Sequence, residues 1–133
     1  MARWLVTSIL ALGALGCTEP KLQGASDALA AAQRRWAAGG LTSYDFTVQR
    51  LCFCGDVVTR PVTVGVRGGS FSGIAYADSG TAADTSLFRD FLTMDRLFAF
   101  LRQQLDAKPD TLVADYDPQL GYPTSVFAGS WDS

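Results

Sequence analysis

Histidine is absent from all 133 residues. Without it, neither a Ser-His-Asp nor a Cys-His relay can form within the chain, and the commonest nitrogen ligand for a metal is missing. Positive charge is scarce too: 11 Lys and Arg stand against 13 Asp and Glu. With no basic cluster the sequence argues against nucleic acid as a partner, because phosphates demand dense positive charge, and against a polybasic hold on anionic lipid. No apolar run approaches the ~20 residues that a membrane-spanning helix needs. Internal repeats and long low-complexity segments are also missing. Cysteine is limited to Cys17, Cys52 and Cys54, and these three carry most of the chemical information.

Cys17 is informative because of what precedes it. One cation, Arg3, is followed by an apolar stretch over residues 4–15, then Gly16, then the cysteine. That length suits the apolar region of a secretory leader. The run Gly13-Ala14-Leu15-Gly16-Cys17 resembles a bacterial lipoprotein cleavage box, in which Cys17 becomes the lipidated first residue. An ordinary signal peptide followed by a coincidental cysteine is the alternative. On the lipoprotein reading, residues 1–16 are removed, residues 17–24 form a tether, and residues 25–133 make a single domain. The protein then sits in the cell envelope, and its membrane contact is the lipid on Cys17. Several acyl chains on one cysteine would make that anchorage durable, where one chain alone binds only marginally. Thr18 stands where an Asp would suggest inner-membrane retention, so the expected address is the outer membrane, facing the periplasm.

Periodicity gives the architecture. Ser26 or Asp27 is expected to cap a helix running to about Ala38, with Leu29, Ala32 and Trp36 on one stripe and a stop at Gly39-Gly40. Residues 43–51 alternate, with Tyr44, Phe46 and Val48 on one side and Asp45, Thr47 and Gln49 on the other. Residues 56–66 carry five valines and read as a second strand, placed near an edge by Pro61. Gly68-Gly69 turns the chain into a third strand over residues 70–77. Thr93 caps a second helix in which Leu97, Phe98, Leu101 and Leu105 share a buried stripe, and Lys108-Pro109 ends it. Residues 111–116 and 124–128 read as two further strands. The expected fold class is α+β, in the order α-β-β-β-α-β-β, an antiparallel β-sheet with two helices packed on one face.

Several landmarks occur together. Trp36 leads to Gly40 and Tyr44, and Cys52-Phe53-Cys54 closes the first strand. The helix opening Thr93-Met94-Asp95-Arg96-Leu97-Phe98 follows, then Tyr116-Asp117 and Gly121-Tyr122-Pro123-Thr124. Over residues 33–128 this pattern resembles the DUF6174 family of small bacterial lipoproteins and secreted proteins of unknown function. Where the pattern carries an Asp soon after the Gly-Tyr-Pro strand, this chain has Ala128-Gly129. The resemblance implies fold and address only, since the family brings no catalytic residues to carry over.

Cys52 and Cys54 are the sharpest candidates for chemistry. Residues two apart in a strand face the same way, so their sulfurs lie side by side. A disulfide between them suits an oxidising compartment, and needs a local bulge that Gly55 would ease. A soft-metal site for copper or zinc is the second reading, but with no His and a lipidated Cys17 only two strong ligands remain. A redox-active dithiol is the third, and would need an activating cation such as Arg50 or Arg60. Asp115 and Asp117 share a side of one strand end, yet Asp117 before Pro118 reads as a turn residue rather than half of an acid pair. Tyr122 is expected to pack on the sheet. Leu87, Phe88, Phe91, Leu92 and Phe98 form either a core beneath a loop or an exposed patch. The sequence thus leads to a non-catalytic, lipid-anchored envelope protein without cofactor or metal, recruiting another envelope protein. The alternative is a thiol-redox or copper-handling lipoprotein using Cys52 and Cys54.

Overall fold

The computed structural model describes residues 20–52 and 54–129. Cys17, the leader and the start of the tether lie outside the described residues, as does Phe53. Helix α1 (Pro20–Gly39) opens the fold, followed by strand β1 (Tyr44–Val48), a one-turn helix α2 (Asp56–Thr59), and strands β2 (Val62–Arg67) and β3 (Ser70–Tyr76). Two short 3-10 turns, Thr85–Leu87 and Arg89–Phe91, lead into helix α3 (Met94–Asp106), and strands β4 (Thr111–Tyr116) and β5 (Pro123–Gly129) complete it. The α+β class holds. The strands form two antiparallel sheets, β1-β2-β3 and β4-β5, where one continuous sheet was expected. Helix α1 packs against β4, and among the described residues no ladder joins β4 to the larger sheet.

Strand β1 ends at Val48, short of the expected Leu51, so Cys52 and Cys54 lie in the loop beyond it rather than at a strand end. Two further boundaries differ from the sequence reading for identifiable reasons. Helix α1 begins at Pro20, so residues 20–24 of the expected tether are helical. Proline suits a first helical turn, where its missing N–H would be unpaired anyway. Ser26 and Asp27, expected as caps, lie inside the helix with other partners. Ser26 Oγ accepts a hydrogen bond from Arg102 of α3 at 2.9 Å, and Asp27 accepts one from Gln23, a turn earlier, at 2.9 Å. Residues 56–59 of the expected valine strand instead form α2. Pro61 restricts the residue before it to extended backbone, and Arg60 has φ −70° and ψ 142°. The ladder therefore starts only at Val62. Val57 and Val58 follow Gly55, whose φ of +88° turns the chain, and their turn closes with Arg60 N–H donating to the Asp56 carbonyl at 3.2 Å.

The core follows the expected stripes. Leu29 and Ala32 of α1 and Val62, Val64 and Val66 of β2 are completely buried. Burying a valine side chain contributes roughly 1.5–3 kcal/mol, so β2 is the central strand in energy as well as in position. Met94, Leu97, Phe98, Leu101 and Leu105 form the buried face of α3. Thr93 caps that helix, its Oγ1 accepting from Arg96 N–H at 3.1 Å. Phe88, Phe91 and Leu92 join the same cluster, so the aromatic segment is core; Leu87 alone of the group stays exposed. Trp36 meets Tyr44 edge to face at 5.0 Å, and Met94 N–H donates to the Tyr44 hydroxyl at 2.9 Å. Helix α1, strand β1 and the start of α3 are thereby tied at one point, where burial pushes the Tyr44 phenol pKa up.

Glycine is decisive at two turns. Gly68 and Gly69 adopt φ of +58° and +79°, the paired positive values that a tight β2–β3 hairpin requires. Gly121 has φ +84° and lies directly on α1. A Cβ there would drive into the Ala32 carbonyl oxygen and come within 2.9 Å of Arg35 Cβ. The Gly-Tyr-Pro turn is thus a close-approach joint between the β4-β5 ribbon and the first helix.

Candidate functional site

The Cys52–Cys54 loop is built outward from the end of β1. The two cysteines stand at disulfide distance, with Cα atoms 5.3 Å apart, inside the usual range for a bridge. Gly55, with positive φ, supplies the backbone turn that sequence reasoning anticipated there. Both cysteines are exposed. Arg50 lies with its guanidinium 4.9 Å from the Phe91 ring centre, and Arg60 is committed elsewhere. Arg60 stacks 3.9 Å over Tyr76 and donates to both carboxylate oxygens of Asp78, at 3.1 and 2.5 Å. That forked pairing holds the Asp78 carboxyl below its ordinary range.

The backbone beyond the cysteines is pinned from several directions. Gln49 Nε2 donates to the Thr59 carbonyl at 3.1 Å, Thr59 Oγ1 donates to the Gly55 carbonyl at 3.1 Å, and the Tyr76 hydroxyl donates to the Val57 carbonyl at 2.9 Å. Val58 is buried beneath the turn. Against this fixed frame, Leu51 is 84% exposed and Val57 57% exposed. The two exposed cysteines therefore stand between the outward-facing Leu51 and a turn at residues 55–59 whose backbone is pinned.

The other residues weighed from the sequence separate cleanly. Asp117 is a turn residue: its carboxylate accepts from Gln119 N–H at 3.0 Å and from Leu120 N–H at 2.6 Å. Asp115 accepts from Ser125 Oγ at 2.9 Å across the ribbon. Tyr122 is partly buried against the core. Among the described residues, no three His, Cys, Asp or Glu side chains gather in a way that could hold a metal ion. No helix among them is long and apolar enough to cross a membrane.

Sequence reasoning missed a second surface, on the β4-β5 ribbon. Val113 and Phe127 are cross-strand partners, 55% and 64% exposed, and Val126 is also exposed. Between the ribbon and α1 runs a shallow apolar groove of about 200 Å³, lined by Ala25, Ala28, Leu112, Val113, Ala114 and Tyr116. Among the described residues β5 pairs only with β4, which leaves its outer edge unladdered. The alternation of residues 111–116 signalled a strand. Nothing in it signalled that the face carrying Val113 and Phe127 would lack a covering layer.

No curated protein and no solved structure matches the chain. The order of landmarks seen in the sequence does have a counterpart: a family model matches residues 28–130, from the middle of α1 through the end of β5. The chain belongs to that family, a family of unknown function designated DUF6174.

Proposed function

We propose that this is a non-catalytic, lipid-anchored envelope protein that binds another envelope protein through its β4-β5 ribbon. The observation that carries the reading is the Val113–Phe127 pair, two large apolar side chains opposite each other and more than half exposed on a two-stranded ribbon. A free strand edge beside such a pair suits addition of an extended segment, with main-chain hydrogen bonds giving affinity and the aromatic ring an anchor. Attachment rests on the sequence before Cys17, whose lipid would hold the domain at the outer membrane facing the periplasm. A non-catalytic role is supported by the lack of histidine and by the structural commitments of Asp115 and Asp117. Copper handling gains no support, because no third ligand stands near the cysteine pair among the described residues.

The test is site-specific photocrosslinking in cells producing the full chain. A benzophenone side chain replaces Phe127 in one variant and Ser72, exposed on β3, in another. The expected result is an adduct of one defined mass from position 127, lost when Val113→Asp is added, and none from position 72. No adduct at 127, or the same adducts from both positions, would remove the ribbon as the contact surface.

A further inference from the structure

We propose that the Cys52–Cys54 pair is a thiol–disulfide exchange site, reduced by a dithiol while the domain stays folded. Three observations on the loop carry this, independently of the ribbon. First, both cysteines are exposed, so an incoming thiolate has access to either sulfur. Second, a bridge here ties together residues two apart on one loop and joins no separate elements of the fold. The stabilisation a disulfide gives through chain entropy grows with the loop it closes, and this loop is near the minimum. The bonds that fix the segment, Gln49 to Thr59, Thr59 to Gly55 and Tyr76 to Val57, do not pass through the sulfurs, so they survive reduction. Third, Leu51 and Val57 flank the pair as an exposed apolar rim of the kind against which a protein dithiol can dock.

The exchange balances in two steps. A donor thiolate attacks Sγ of Cys52 or Cys54. The donor S–Sγ bond forms as the Sγ–Sγ bond breaks, the electron pair leaves with the other cysteine, and that cysteine takes a proton from water. The donor's second thiol, as thiolate, then attacks the mixed disulfide at the donor sulfur and releases the first cysteine, which is protonated in turn. Net, the bridge gains two electrons and two protons and the donor dithiol becomes a disulfide. The donor chemistry is common to small thiols and protein dithiols.

The experiment uses the full chain carrying Cys17→Ser, so that any labelled thiol belongs to the pair. Native protein is incubated at equal thiol concentration with reduced glutathione, dithiothreitol, or thioredoxin kept reduced by its reductase and NADPH. Samples are acid-quenched and alkylated for intact mass, and circular dichroism is followed in parallel. The expected result is no alkylation before reductant, two alkylated thiols after dithiothreitol or thioredoxin, and an unchanged dichroism spectrum. Thioredoxin outpacing dithiothreitol by on the order of tenfold, and losing that advantage in Leu51→Asp, identifies a protein dithiol as the donor; equal rates identify small thiols. Thiols that label without reductant, a bridge that yields only in denaturant, or reduction that abolishes the folded spectrum would each overturn the proposal.

Discussion

Replacing Gly121 with alanine adds one methyl group at the point where the ribbon turn meets helix α1. Two costs add there. The backbone at φ +84° is left-handed, which penalises any residue with a Cβ by roughly 1–2 kcal/mol. The new Cβ also collides with the Ala32 carbonyl oxygen and crowds Arg35 Cβ at 2.9 Å, and these belong to the helix itself rather than to a flexible side-chain end. Either α1 or the turn must shift, and forced overpacking of this kind costs roughly 1–3 kcal/mol. The sum is a destabilisation of about 2–5 kcal/mol, which for a domain of this size lowers the melting temperature by about 10 °C or more. The control is Gly40→Ala, where φ is +63° but no atom lies within 4 Å of the added Cβ, so only the conformational cost applies. Denaturant titration of both variants, with the slope confirmed unchanged, reads the difference directly. Equal losses in the two would refute the claim that Gly121 is required by close approach.

Other outcomes follow from the same geometry. The Asp78 carboxyl is held below its ordinary value of 3.8 by Arg60, so its contribution to stability is full above that value and is lost as pH falls through the lower folded one. Asp78→Asn should therefore flatten the fall in melting temperature on acidification below pH 3.8, and added salt should shrink the difference because the pair is exposed. A variant with the same acid profile as the parent would show that the pair contributes nothing. Cys17→Ser should move the protein from the membrane to the soluble fraction on cell fractionation; retention of a processed chain in the membrane would exclude lipid on that residue as the anchor.

How much was legible beforehand varied by element. The stripes of α1 and α3, the alternation of β1 and the Gly68-Gly69 hairpin were read correctly, because each is a repeat of two or 3.6 residues written in neighbouring side chains. Residues 56–59 were misread, since their valines favour a strand while Gly55 and Pro61 on either side impose a turn of helix. The start of α1 was placed late because Ser26 and Asp27 have cap chemistry, and only the position of Arg102 reveals that Ser26 serves a partner on another helix. The cysteine pair was singled out by its spacing, but on the premise of a strand that ends at Val48, before the pair. Its pinned frame could not be, because Tyr76 and Asp78 reach it from some twenty residues away.

The sequence by itself determined which side chains had to be buried together: Leu29, Ala32, the valines of β2 and the apolar face of α3. It also determined that no histidine-based chemistry was available. Tertiary structure alone decided that the strands divide into two sheets, that Val113 and Phe127 stay uncovered, and that Gly121 must lack a side chain. The division has a physical cause. Periodicity is a property of adjacent residues along one element, whereas coverage of a face and closeness of a turn depend on which distant element packs against it.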